Sequence, residues 1–475
     1  MVHDHAPKSL LWDITTECNL RCKHCYNAKY WSKSMRSREL STTDALRTID
    51  AACDFGIRHI HFLGGEPLTR PDLQYLIDYA KNRALVVSIN TNGLLLEPPT
   101  VNWIIQAGVD QITISLDGVT AEENDAVRGR GSFDNVVRNI RSVVAKCTEV
   151  QRPPVVQLAF VMTQINCRNA WRLPALAASM GVRLLNLLTL YECGEAEHHL
   201  TSLRASEQDV IQAIAGVVEA VGRENGMRVQ IDCKPRVLQY VARRVGISFD
   251  IVEPSPRCYA GEQMWALDAT GCVHPCGPCS TRLGQTACES GALEVQRIDI
   301  RETLPSLEGI PTSNYWKSLM VMKDRVGDSR TDSVGCGQCE WARECWVCPL
   351  ANSDASPDPL CRMVMDLEPG LYAELGGDRL RLRAGVRVSG AQDSGAMIQV
   401  VDFLLRKSYK VTQTESRLLQ EMALGVATVE EVVSRVAGLE APGHTSNRRR
   451  LMDKVFEYLD WGIVERVDAG IPRQR

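Results

Sequence analysis

No stretch of this 475-residue chain approaches the roughly 18 consecutive apolar residues that a bilayer-spanning helix needs. The N-terminal segment MVHDHAPKSLLWD holds an apolar run of only three residues, too short for the core of a secretory signal. The sequence therefore predicts a cytoplasmic protein with no membrane partner. An excess of basic charge is also missing: 54 Lys and Arg stand against 58 Asp and Glu, a net charge of -4. Without a basic field, nucleic acid is not expected as a partner. Short-period repeats and low-complexity tracts are absent as well. What remains, 44% hydrophobic and 24% charged, suits a folded chain of two to four domains.

Cysteine is the exception to this ordinary composition, with 18 residues gathered mostly in clusters. In a reducing compartment, clustered cysteines point to metal ligation rather than disulfides. The stretch CNLRCKHCY places Cys18, Cys22 and Cys25 within eight residues. A closed structural zinc site takes four ligands, so three leave one coordination position open. Cys53, Cys147, Cys167, Cys193 and Cys233 stand alone in periodic segments and read as buried apolar thiols.

From Leu10 to about Leu190, strand-like runs alternate with helix-like ones. LLWDITT is extended; TTDALRTIDAACDFG spaces Ala45, Leu46, Ile49, Ala52 and Phe55 as a helix ending at Gly56. IRHIHFLGG, ALVVSINTNG, QITISLDG, VVQLAFVMT and VRLLNLLTL follow as strands, separated by helical segments. Six such strands predict parallel βα units in an open or closed α/β barrel. Right-handed crossovers then gather the strand C-terminal ends on one rim. Gly64, Gly65 and Glu66 of GGEP, the TNG at Thr91 to Gly93, and the SLDG at Ser115 to Gly118 all fall on that rim, where βα barrels assemble their chemistry. Glycines there admit close backbone approach to a ligand, and Glu66 suits a cationic amine.

CNLRCKHCY, GGEP, TNG and SLDG, in this order over residues 8 to 195, resemble the radical SAM (S-adenosylmethionine) superfamily. The resemblance implies a partial (βα)6 barrel in which Cys18, Cys22 and Cys25 hold three irons of a [4Fe-4S] cluster. The fourth iron is left to chelate the amine and carboxylate of S-adenosylmethionine, which yields a 5'-deoxyadenosyl radical on reduction. By the same resemblance the Gly64–Glu66 turn receives the methionyl amine, Ser115 and Arg128 hold its carboxylate, and Asn90 and Asp117 lie near the ribose. Asn and Asp are equally suited to stabilising turns at those positions.

Cys258, Gly271, Cys276, then Cys336, Cys339, Cys345, Cys348 and finally Cys361 resemble the SPASM extension of peptide-modifying radical SAM enzymes. That extension implies two auxiliary [4Fe-4S] clusters, three in all. Cys336, Cys339, Cys345 and Cys361 would hold the outer one, and Cys258, Cys276 and Cys348 the inner one. Cys272 and Cys279 are spare candidates for its missing ligand, and Cys288 is left over. Zinc sites of the C-x2-C kind are the alternative. Beyond Gly376, RLRLRAGVRV, TESRLLQEMALG, ATVEEVVSRV and FEYLDWGIVERV resemble PqqD-like winged-helix modules that capture a leader peptide; Met397 to Leu405 is the expected docking edge. A DNA-reading winged helix, with NRRRLMDK as its basic patch, is the alternative.

The expected organisation is thus a radical SAM barrel over 8–235, an irregular Cys-rich SPASM domain over 236–370 and a small winged-helix-like module over 376–470. The resemblance implies a maturase that crosslinks a ribosomally made precursor peptide bound through its leader, with flavodoxin or ferredoxin as electron donor. Epimerisation, desaturation and backbone excision compete with crosslinking, as does dehydrogenation or epimerisation of a small molecule such as an amino sugar.

Overall fold

Apolar and polar residues alternate along the strands of the first half, and this alternation decides the architecture. β1 (Ser9–Asp13), β2 (His59–Leu63), β3 (Val86–Thr91), β4 (Gln111–Ser115), β5 (Val155–Val161) and β6 (Leu184–Leu188) lie side by side in chain order, each parallel to the next. On one face Trp12, Ile60, Phe62, Ile89, Ile114 and Phe160 are fully buried. Burying each such side chain contributes about 1.5–3 kcal/mol. The intervening helices are amphipathic. Thr42–Phe55, for example, starts where the Ser41 hydroxyl accepts from Asp44 N–H at 3.1 Å, buries Ala45, Ile49, Ala52 and Phe55, and stops at the left-handed Gly56.

Strands buried against helices on both faces would read as continuous apolar runs. Here the second face is polar. His59 Nε2 lies 2.8 Å from Ser88 Oγ, His61 Nε2 meets Asn90 Oδ1 at 2.9 Å, and the Gln111 amide and Thr113 hydroxyl both donate to Gln157 Oε1. Such a face lines the interior of an open barrel.

The structure is a computed structural model. It describes residues 8–28, 33–224, 226–245, 252–254, 260–277, 298–313, 316, 363–364, 366–367, 380–382, 386–389, 398–402, 407–411, 413–423, 428–438, 445–460 and 464–466. Cys258, Cys279, Cys288, Cys336, Cys339, Cys345, Cys348 and Cys361 lie outside the described residues. The chain divides into two compact units, one of Met1–Leu238 with Ile251–Cys361 and one of Gln239–Asp250 with Arg362–Arg475.

The first unit extends beyond the six expected strands. β7 (Arg228–Ile231) and β8 (Val252–Pro254) continue the parallel sheet past β6. At the other side β9 (Met264–Leu267) pairs in parallel with β1, followed by antiparallel β10 (Cys272–His274) and β11 (Ile298–Asp299), making an 11-stranded sheet. Periodicity missed β9 because Trp265, Ala266 and Leu267 are all buried, so no alternation exists to read. Its turn is set by Asp268, whose Oδ1 accepts from the N–H groups of Thr270 and Cys272.

In the second unit β12 (Leu380–Leu382) pairs with β16 (Val464–Arg466), and β13 (Val386–Ser389), β14 (Ile398–Asp402) and β15 (Lys407–Val411) form a three-stranded antiparallel sheet. Three helices follow, Gln413–Ala423, Val429–Gly438 and Thr445–Asp460, burying Leu418, Val432, Val433, Val455 and Phe456. The expectation that Met397 to Leu405 forms a docking edge does not hold. Its strand, β14, is central and pairs on both sides, because the short polar strand β15 lies outside it. Among the described residues, no helix is long and apolar enough to cross a membrane.

Candidate functional site

The loop leaving β1 carries Cys18, Cys22 and Cys25, and its backbone is already turned towards the sulfurs. Leu20 N–H donates to Cys18 Sγ at 3.5 Å, and the Asn27 N–H bonds the Cys25 sulfur. Burial raises all three thiol pKa values, Cys22 to about 11 and Cys25 to about 12, and the neighbouring thiols add to the effect in both cases. Three thiols crowded into one dry loop do not ionise together without a cation. A bound metal supplies the compensating charge, because thiolate ligands lose their protons on coordination.

The GGEP turn at the end of β2 is stitched to this loop. Gly65 N–H donates to Thr15 O at 2.8 Å and Glu66 N–H to Glu17 O at 2.7 Å. No side chain fits at this seam: a Cβ would stand 2.5 Å from Thr15 O at Gly64, where φ is +130°, and 2.0 Å from Glu17 O at Gly65. Glu66 is fully buried, and its carboxylate accepts from the Thr91 hydroxyl at 2.8 Å, Asn92 N–H at 2.7 Å and Leu68 N–H at 3.2 Å. Burial outweighs these bonds and raises its pKa to about 7. Asn92 in turn donates to Asn19 Oδ1 at 2.6 Å, and its amide nitrogen lies 4.0 Å from Cys18 Sγ. The GGEP and TNG loops therefore brace each other and the cysteine loop.

SLDG approaches from the opposite side. Asp117 has no exposed surface; its Oδ1 accepts from Val161 N–H at 2.7 Å, and its Oδ2 lies 2.6 Å from both His24 Nε2 and Arg128 Nε. Burial favours the neutral acid, yet Arg128, His24 and the Val161 bond prevail and hold the carboxyl well below its usual range. Arg128 Nη1 is 4.0 Å from Cys22 Sγ.

Of the residues singled out in the sequence, the structure brings together Cys18, Cys22, Cys25, Glu66, Asp117 and Arg128. Gly64 and Gly65 form the seam beneath them. Ser115 is half-buried at the end of β4, and Asn90 accepts from His61 on the polar face. Cys276 is half-buried; a Cβ at the adjoining Gly277 would lie 3.5 Å from the Tyr26 hydroxyl, which sets this segment against the end of the cysteine loop. Cys272 is buried on β10, its Sγ 3.8 Å from the Thr270 hydroxyl. Cys167, Cys193 and Cys233 are buried as expected, while Cys53 and Cys147 are half-buried. Sequence reasoning missed His24. It sits inside the motif, but its partner lies 93 residues away, and only its potential to donate marked it out.

Known proteins agree with this geometry. The Radical SAM superfamily model matches residues 12–163. A PqqA peptide cyclase of Granulibacter bethesdensis is 30% identical over 273 residues, covering 55% of this chain and 70% of that protein. The chain belongs to the radical SAM superfamily. An AdoMet-dependent heme synthase of Methanosarcina barkeri is 28% identical over 367 residues, 75% of this chain and 95% of that enzyme. In fold, the radical SAM chain is similar to Streptococcus suis SuiB bound to its precursor peptide SuiA, with TM-score 0.56 and 16% identity over 75% of this chain and 76% of that one.

Membership implies a [4Fe-4S] cluster and S-adenosylmethionine, and the donor set fits. Iron-sulfur clusters are held by cysteine thiolates, and the β1 loop offers three, two of whose sulfurs already receive backbone N–H groups while Arg128 lies against the third. Among the described residues no three His, Cys, Asp or Glu side chains converge as ligands of a single metal ion. Cluster ligands differ in this respect, since each thiolate takes a separate iron and the three sulfurs stand around the cluster.

Proposed function

We propose that this radical SAM enzyme modifies a ribosomally made precursor peptide and closes an intramolecular carbon-carbon, ether or thioether crosslink. The observation that carries this reading is the 30% identity to a PqqA peptide cyclase over 70% of that protein. The second unit supports it: a small antiparallel sheet with three helices suits a PqqD-like module over 376–470, and β13 and β15, the outer strands among the described residues, suit a leader peptide added as a further strand. Tethering such a module to the barrel raises the peptide's effective concentration at the rim.

When bound, the cluster and S-adenosylmethionine supply a 5'-deoxyadenosyl radical that takes a hydrogen atom from the peptide. In this reading Cys18, Cys22 and Cys25 hold the cluster, and the Gly64–Glu66 turn and Ser115 receive the methionyl group with Arg128. Asn90 faces the ribose from the polar side of the sheet. Cys336, Cys339, Cys345 and Cys361 form one auxiliary site, and Cys258, Cys276 and Cys348 the other, with Cys272 or Cys279 as its fourth ligand. The site's second task is to exclude water, and the buried Glu66 and Asp117 anchors keep the rim loops closed around it. A flavodoxin or ferredoxin would supply the electron.

A second reading has its own observation. The alignment to an AdoMet-dependent heme synthase spans 95% of that enzyme, which favours a small-molecule substrate at the same rim. It leaves a quarter of this chain outside the alignment, the remainder of the 75% covered. Co-expression of the full chain with a short peptide encoded beside its gene, followed by mass spectrometry, separates the two. A loss of two hydrogens in the peptide is expected. An unmodified peptide that also fails to bind the purified enzyme would refute the peptide reading.

A further inference from the structure

We propose that the buried Asp117–Arg128 ion pair beside Cys22 tunes the reduction potential of the cluster with opposite signs, Arg128 raising it and the charge of Asp117 lowering it, while His24 ties Asp117 to the cysteine loop. This rests on the reading that Cys18, Cys22 and Cys25 hold that cluster.

The argument begins with what surrounds the carboxylate. Three groups from three separate segments converge on it: Val161 N–H from β5, His24 Nε2 from the cysteine loop and Arg128 Nε from the helix Ala121–Arg128. An ionised carboxylate only accepts hydrogen bonds, so Val161 N–H and His24 Nε2 donate to it, while Arg128 meets it as an ion pair whose Nε–H is not aligned for a hydrogen bond. Asp117 itself is fixed from behind, its N–H donating to the Asn124 side chain at 2.9 Å.

The arrangement has an electrostatic consequence at sulfur. The guanidinium is a rigid plane that stays charged. With its Nε side turned to Asp117, the Nη1 side lies 4.0 Å from Cys22 Sγ. The Arg128 charge is felt at Cys18 and Cys25 as well. A cation beside a cluster sulfur favours the reduced, more negative state, and a compensating anion opposes it, since local charge and hydrogen bonds to sulfur set such potentials. Asp117 and Arg128 therefore act with opposite signs while occupying one ion pair. A purely structural pair would not produce opposite signs.

The test is a potentiometric titration of the anaerobically reconstituted full chain, followed by electron paramagnetic resonance. The cluster in question is the one whose spectrum changes when S-adenosylmethionine is added. Asp117→Asn is expected to raise its potential and Arg128→Gln to lower it, each by at least a tenfold change in the one-electron equilibrium, about 59 mV. Asp117→Glu, which keeps the charge, should stay near the wild-type value. If Asp117→Asn loses its iron, Arg128→Gln carries the test. Unchanged potentials, or shifts of one sign in both variants, overturn the proposal while leaving the cluster assignment intact. A wild-type protein with no signal responsive to S-adenosylmethionine overturns the assignment itself.

Discussion

Glu66 and Asp117 are both fully buried carboxylates on the same rim, and their surroundings drive them in opposite directions. Burial raises Glu66 to about 7 against three neutral donors, whereas at Asp117 the contact cation Arg128 prevails over burial. Glu66 therefore needs its bonds to stay in place, and Glu66→Gln leaves one acceptor for three N–H and O–H groups. A stranded buried donor costs about 1–3 kcal/mol, which a lower melting temperature and faster loss of iron to a chelator would register. His61 offers a pH test. Burial holds its pKa near 4, below the ordinary 6.5, so between those values the unfolded chain binds the extra proton and stability falls as the pH falls. Acidifying from about pH 7.5 to 5.5 is expected to cost roughly 1 kcal/mol through this residue. In His61→Gln that part of the melting-temperature drop should vanish. At this scale the sequence was most legible where ligands are contiguous, as in CNLRCKHCY. It was least legible where one carboxylate gathers partners from three distant segments, as Asp117 does with Arg128, His24 and Val161.

Among the elements, the strands with one polar and one apolar face were visible as alternation, and the helices as apolar spacing with caps. Ser41 illustrates how local such signals are: Ser41→Ala removes the acceptor for Asp44 N–H and should lower stability by about 1 kcal/mol, measurable as a melting shift with no change in iron content. The turns are less forgiving. Gly65→Ala drives a methyl into the Glu17 carbonyl, and because both sides of that contact are backbone, the cysteine loop must move. Overpacking of this kind costs about 1–3 kcal/mol, and the variant should bind less iron at the first cluster than wild type under the same reconstitution. Strands β7 to β11 were not anticipated because they run for only two to four residues, too short to establish a period, and β9 is buried on both faces. In the second unit the polar five-residue strand β15, KSYKV, was not anticipated, which turned an expected edge into the middle of a sheet.

For the whole molecule, the proposed three clusters set a countable expectation. Full reconstitution should give about twelve irons per chain, and replacing Cys18, Cys22 and Cys25 by Ala together should leave about eight. A wild-type value near four would remove the auxiliary sites from the account. The polar face of the first unit's sheet bears on how any substrate enters. Gln111 begins β4 and His59 begins β2, and near these strand starts Ser88, Thr113 and Gln157 are buried and bonded to one another or to these two side chains. These side chains bond across neighbouring strands, which ties the start of the sheet together on its polar face. Among the described residues, the side chains of that face are thus engaged with one another at the strand starts, while the cysteine loop, GGEP and SLDG gather at the opposite ends of the same strands, and that is the end at which a substrate is expected to be received.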